Sequence, residues 1–166
     1  MQGKGRRLGF IIGCVLAVLV AGPAANGAST RLSGDADYDT TACPGPPPGY
    51  EDFDDYPGLA MTGSIEGCLY TKVTNVRTTP SGVYLEEGEE VVVGSLDGGP
   101  AGTFETVYKF SGKFDPTGAE IHGRCRHPIV EGTGTGGFEG AKGRLDFKDF
   151  PGAPVPYVYR GHIRTS

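Results

Sequence analysis

The stretch TFETVYKFSGKF, residues 103–114, puts Phe104, Thr106, Tyr108, Phe110, Gly112 and Phe114 on one face of an extended chain. Thr103, Glu105, Val107, Lys109, Ser111 and Lys113 fall on the other. A strict period of two is the mark of a half-buried β-strand. The same alternation recurs in RLDFKDF, where Leu145 and Phe147 oppose Arg144, Asp146 and Lys148. It recurs again in VPYVYRGHIR, where Val155, Tyr157, Tyr159, Gly161 and Ile163 oppose Arg160, His162 and Arg164. EEVVVGS and SIEGCLYTKV add β-branched and aromatic strand formers. Turn residues separate these runs at Pro80-Ser81-Gly82, Asp97-Gly98-Gly99 and Asp115-Pro116-Thr117-Gly118. From Leu59 onward no stretch repeats its apolar residues at the helical period. Strands without helices can cover their apolar faces only with one another. The fold class is therefore all-β, either a sandwich or a sheet closed on itself.

The glycines decide against one tempting reading. GTGTGGFEGAKGRLDF contains Gly132-x-Gly134-x-x-Gly137, the spacing of a dinucleotide-binding turn. Such a turn needs a helix after it, because the helix N-terminus holds the phosphate. Here Gly140, Gly143 and an alternating strand follow instead, and no Gly-Lys-Ser/Thr is present. No nucleotide is expected as cofactor or partner. Glycines in strands mark bulges, corners and close backbone contacts, and in a small barrel they let the sheet coil.

The run Gly134-Thr135-Gly136-Gly137-Phe138-Glu139-Gly140-Ala141-Lys142-Gly143 resembles the G-T-G-x-F-x-G-A-x-G signature of the allene oxide cyclase and dirigent barrel superfamily. EIHGRCRHPIVEGTG before it and YRGHI at the end are similar to bacterial members, so the resemblance spans about Met61 to Ile163. It implies a small, closed, antiparallel eight-stranded barrel of the calycin kind. Plant members include an isomerising cyclase and proteins that steer phenoxy-radical coupling. The resemblance carries no catalytic residue over to this chain.

The first residues are not part of the domain. Lys4, Arg6 and Arg7 precede an apolar run from Leu8 to Ala21, and Ala25-x-Gly27 fits a small-x-small cleavage site. This is the layout of a secretory signal over residues 1–27, and its apolar run is shorter than the roughly 20 residues a membrane span requires. The mature chain is expected outside the cell or on the exterior of its envelope, where disulfides persist. Residues 28–58 hold seven acids against one arginine and are rich in Pro and Gly. Such a segment is expected to be a disordered acidic arm, with the barrel domain at 59–166. Asp35, Asp37 and Asp39 alternate, but no Gly-turn and closing Glu follow them as a calcium loop requires. Residues 59–166 carry eleven Lys/Arg and thirteen Asp/Glu with no basic stripe, so nucleic acid is not an expected partner.

Three cysteines remain after the signal: Cys43, Cys68 and Cys125. Cys68 and Cys125 both sit in strands and are expected to form the disulfide, leaving Cys43 over. Alternation puts Cys68 with Glu66 and Tyr70, away from Ile65 and Leu69, so the bridge to an inward Cys125 needs a bulge at Gly67. In HGRCRH, His122 falls on the opposite face from Cys125 and His127, which leaves too few ligands for a metal. His127 shares parity with Ile121, Gly123, Cys125 and Ile129 and is a candidate acid–base group, or a buried His bonded to the backbone. One of Glu89 and Glu90 must face inward if EEVVVG alternates, unless a bulge at Gly88 turns it out.

An eight-stranded barrel has an interior that side chains fill or that holds one small ligand. The leading functional expectation is a small apolar or aromatic molecule in the lumen, against Phe104, Tyr108, Phe110, Tyr157 and Tyr159. An isomerase, a cyclase or a guide for radical coupling, as the resemblance implies, is the alternative. A structural or homo-oligomer-forming envelope protein with a filled core is the third.

Overall fold

A computed structural model describes residues 28–166, so the signal expected at 1–27 lies outside the described residues. Eight antiparallel strands run in sequence order and close into a barrel. They are β1 (Thr30–Tyr38), β2 (Leu59–Gly63), β3 (Ile65–Thr78), β4 (Val83–Leu96), β5 (Ala101–Phe114), β6 (Glu120–Pro128), β7 (Lys142–Asp149) and β8 (Tyr157–Arg164). The all-β closed barrel expected from the alternation and the glycine signature is the fold observed.

The seam of the barrel lies where the sequence was read as disordered. β1 pairs with β8 from Thr30↔Ile163 to Ala36↔Tyr157 and with β2 from Gly34↔Gly63 to Tyr38↔Leu59. The arm boundary at residue 58 is therefore corrected, because the first barrel strand comes from inside the acidic segment. TRLSGDADY hides its pattern. Its inward residues Leu32 and Ala36 are buried, but the others between them are small or polar. Gly34 is required to be small, because a Cβ there would sit 2.5 Å from the Tyr159 hydroxyl.

The rest of the acidic segment, residues 39–58, is a strap packed on the outside of β3 and β4. Cys43, Phe53, Tyr70 and Val91 form a second apolar cluster there, with Tyr50, Ala60, Cys68 and Val93 against it. The acids of the strap are used locally. Asp39 accepts the N–H groups of Thr41 and Ala42. Asp52 meets Lys72, and Asp55 accepts the N–H of Val73 at 2.6 Å. β2 is only five residues long, so the end of β3 outruns it, and the strap bridges that free edge at Asp54↔Thr71.

The strap is also cross-linked. Cys43 and Cys68 form the disulfide, and Cys125 is a buried free thiol, which overturns the expected Cys68–Cys125 bridge. The simple alternation was sufficient: Cys68 points out with Tyr70, Cys125 points in, and the sheet stands between them.

One end of the barrel is packed solid. Leu32, Ile65, Val92, Phe104, Leu145 and Ile163 are almost fully buried there. The glycine-signature loop lies across this end and contains one 3-10 turn, Gly136–Phe138. Gly137 lets that loop touch the wall, since a Cβ would lie 2.0 Å from the Pro100 carbonyl oxygen. Phe138 then plugs the end, with its ring 4.8 Å from that of Phe104. Gly134 and Gly137 of the G-x-G-x-x-G thus allow close backbone approach and Gly132 a positive φ of 87°, with a strand and not a helix beyond them.

The disulfide spans 25 residues and should contribute about 3 kcal/mol by restricting the unfolded chain. Cys43→Ala and Cys68→Ala are each expected to lower the melting temperature by roughly 10 °C, and the double variant little further. Non-reducing peptide mapping should recover the Cys43–Cys68 cross-link.

Candidate functional site

The other half of the barrel is not filled. It holds a cavity of about 330 Å³ that opens at the end away from Phe138. Leu59, Leu69, Phe110, Phe147 and Cys125 supply its apolar wall, and Tyr38, Tyr56, Tyr84, Tyr108 and Tyr157 supply phenols. Four carboxyl groups face it: Glu86 and Glu90 from β4, Glu120 from β6 and Asp149 from β7. His127 completes the titratable lining, and no lysine or arginine is among the described residues that line it.

The register of β4 with β5 explains how two glutamates come to be inside. Glu90 pairs with Thr106 and Glu86 with Phe110, so both follow the inward parity of Val92 and Leu96, whereas Glu89 points out and is exposed. Of the alternatives left open at EEVVVG, the inward carboxylate is Glu90. Glu86 was missed as an inward group, although it lies two turns of the same period away.

Glu86 and Glu90 are each provided with donors. Glu86 accepts three phenolic O–H groups, from Tyr56 at 2.8 Å, Tyr84 at 2.6 Å and Tyr108 at 2.7 Å. Burial first, and then these bonds to Glu86, hold all three phenols above the usual tyrosine range, with Tyr84 pushed up to about 12. Glu90 accepts the Thr106 hydroxyl at 2.6 Å and meets His127 Nδ1 at 2.5 Å. With Nδ1–H directed at Glu90, the lone pair of a neutral imidazole is on Nε2. Nε2 is buried and has no hydrogen-bond partner, and the ring is held between Tyr108 and Phe147 at centroid distances of 5.9 and 4.7 Å. The inward placement expected for His127 is observed, and its partner is a carboxylate, not a backbone carbonyl.

Glu120 and Asp149 supply the remaining two carboxyl groups of the site. Their position depends on a bulge. Lys113 pairs with His122 and Phe114 with Glu120, which leaves Ile121 as an extra residue. Ile121 is therefore turned out and is 53% exposed, a correction to its expected inward parity, and Glu120 enters the lumen instead. Gly123 leaves room for the pair: a Cβ there would lie 2.3 Å from Asp149 Oδ2 and 2.5 Å from Glu120 Oε1. Burial and the nearby Asp149 push the Glu120 carboxyl up to about 7, and burial raises Asp149 as well.

Of the aromatics expected to contact a ligand, Tyr108, Phe110 and Tyr157 line the cavity. Phe104 and Tyr159 do not, since they belong to the packed end. The Tyr159 hydroxyl accepts the Ile65 N–H at 2.9 Å and donates to the Thr62 carbonyl at 3.0 Å, so it is satisfied by the barrel itself. Val155 lies outside β8 and is exposed. His122 is exposed on the outer face, and among the described residues no three His, Cys, Asp or Glu side chains converge as metal ligands. The Cys125 thiol is pushed up by burial and then by the Glu90 charge, so it stays protonated and is not an activated nucleophile.

No protein-family model, curated protein or solved structure matches this chain.

The raised carboxyl of Glu120 makes stability depend on pH with a definite sign. Between its ordinary value near 4.5 and about 7 the unfolded chain has released this proton while the folded chain keeps it. Stability is therefore lost as pH rises through that window. Thermal melts from pH 4.5 to 8 should show a smaller decline for Glu120→Gln than for the parent chain.

Proposed function

We propose that this chain is an exported barrel that holds one small, largely aromatic molecule in the open half of its lumen. The observation that carries this reading is the division of the interior. One end is packed with aliphatic and aromatic side chains, while the other keeps a cavity of about 330 Å³. That volume is at the lower end of the range of about 300–1,000 Å³ typical of small-molecule sites. Ring walls favour an aromatic guest, and the few polar groups at fixed positions supply orientation. The Cys43–Cys68 disulfide is compatible with an extracellular location, and the expected signal at residues 1–27 agrees with export. The unfilled half argues against a purely structural barrel.

A second reading rests on His127. A carboxylate-bound imidazole with a free Nε2 beside a cavity has the parts of a general acid–base catalyst. With Glu120 and Asp149 in the same cavity, proton transfer within a bound carbonyl compound would make the chain an isomerase or cyclase, as its glycine signature suggested.

Native mass spectrometry of the exported protein tests the first reading. The intact ion should carry one small molecule, and Cys125→Phe or Leu69→Phe, which fill the cavity, should lose it while keeping the circular dichroism of the barrel. The chain has no tryptophan. Phe110→Trp therefore gives a single reporter in the wall, and its emission should shift saturably with an aromatic ligand. A reporter that never responds and a protein that carries nothing would overturn the reading.

A further inference from the structure

Resting on that lumen-binding reading, we propose that the guest is a monocation: an aromatic amine whose ammonium lies against Glu120, Asp149 and the Nε2 of His127, with its ring among the phenols.

The argument starts from charge. A buried carboxylate is costly unless it is paired or hydrogen-bonded. Glu86 is supplied by three phenols and Glu90 by Thr106 and His127, so both are satisfied within the protein. The Glu120–Asp149 pair is different. Its two carboxyls converge over Gly123, with no lysine or arginine among the described residues lining the cavity. Glu120 Oε1 is buried without a hydrogen-bond partner. Facing the same cavity is a second open acceptor of a different kind, Nε2 of His127, whose side chain is 5% exposed. Open acceptors on Glu120 and His127, with the Asp149 carboxyl against the first, match a group with several N–H donors and a positive charge, which is what an alkylammonium presents. The aromatic walls add cation–π attraction and would stack a ring attached to the amine. An anionic guest would meet four carboxyls and no lysine or arginine. A neutral guest would leave the carboxyl pair to share a proton.

The pair also gives the proposal a pH signature. The titratable groups facing it are His127 and Cys125 from β6, Tyr157 from β8 and Tyr38 from β1, with Glu86 and Glu90 deeper on β4. At pH 8 the pair has lost the proton that Glu120 retains below about 7, and amine binding is favoured. At pH 5.5 the ammonium must displace that proton, so binding weakens and a proton is released.

Calorimetric and NMR titrations of the processed protein with 2-phenylethylamine, 2-phenylethanol and 3-phenylpropanoate test this. At pH 8 the amine should bind at least roughly tenfold more tightly than the alcohol, and the carboxylate least. The amine's advantage should shrink at pH 5.5, with proton uptake by buffer visible in heats measured in buffers of different ionisation enthalpy. Glu120→Gln and Asp149→Asn should each remove most of the advantage and leave alcohol binding intact, which also shows that the cavity has survived. Equal affinity for amine and alcohol, or an advantage that persists in the double variant, overturns the amine while the lumen-binding reading stands. Failure of all three compounds to bind at millimolar concentration overturns both.

Discussion

The pairing of β1 with β8 removes both free edges of the sheet and in doing so creates an interior that every inward side chain must fill or leave open. Its register brings Gly34 opposite Tyr159, and only a glycine leaves space for that ring. The Tyr159 hydroxyl then bonds the backbone at Thr62 and Ile65, which ties β8 to the β2–β3 turn across the barrel. Closure, the packed end and the glycine-rich plug share one continuous core. Once Phe138 and Phe104 fill that end, whatever space remains is confined to the other half.

The open half solves a different problem, that of keeping carboxyl groups out of bulk water. It uses three means. Glu86 is surrounded by hydroxyl donors, Glu90 by a hydroxyl and an imidazole, and Glu120 by a second carboxyl with which a proton can be shared. The first two require donors on different strands and on the strap: Tyr56 reaches Glu86 from outside the barrel sequence, so the strap is part of the lumen as well as a cover for Tyr70 and Val91. Fixing the strap by the Cys43–Cys68 bridge therefore also fixes one donor to a buried charge. The outer disulfide and the inner carboxylate are coupled through one short segment, residues 43–56.

Alternation made the walls of the barrel legible. Phe104 to Phe114, Leu145 to Phe147 and Tyr157 to Ile163 face as their period of two requires. Two kinds of information were not local. β1 alternates, but with glycine, alanine and acids its apolar signal is weak, and its burial comes from its neighbours. The strap reads as a solvated acidic tail because the uses of Asp39, Asp52 and Asp55 are partners that appear only after folding. In the site, His127 was visible from parity, whereas Glu89 and Glu90 were singled out without a decision on which of them faces inward. Glu120 was not, because the bulge at Ile121 shifts parity by one residue and nothing in EIHGRC announces it. The cysteine pairing failed for the converse reason: a bulge at Gly67 was invoked, although the plain alternation already separated Cys68 from Cys125 by the thickness of the sheet.

The contrast between the two halves of the same strands bears on function. β4 runs from Tyr84, Glu86 and Glu90 at the open end to Val92 and Leu96 at the packed end, and β5 from Phe104 to Tyr108. Nothing in the barrel architecture obliges the inward positions to change character along one strand. Apolar side chains of similar volume at 86, 90 and 127 would remove buried charges whose desolvation ion pairs often fail to offset. A chain selected only to fold would extend the packing seen around Phe138 through the whole lumen. Positions where a sequence departs from local consistency without structural need are where function is expected. Here those departures lie in one cavity, and they leave two buried acceptors without a partner, Glu120 Oε1 over Gly123 and Nε2 of His127.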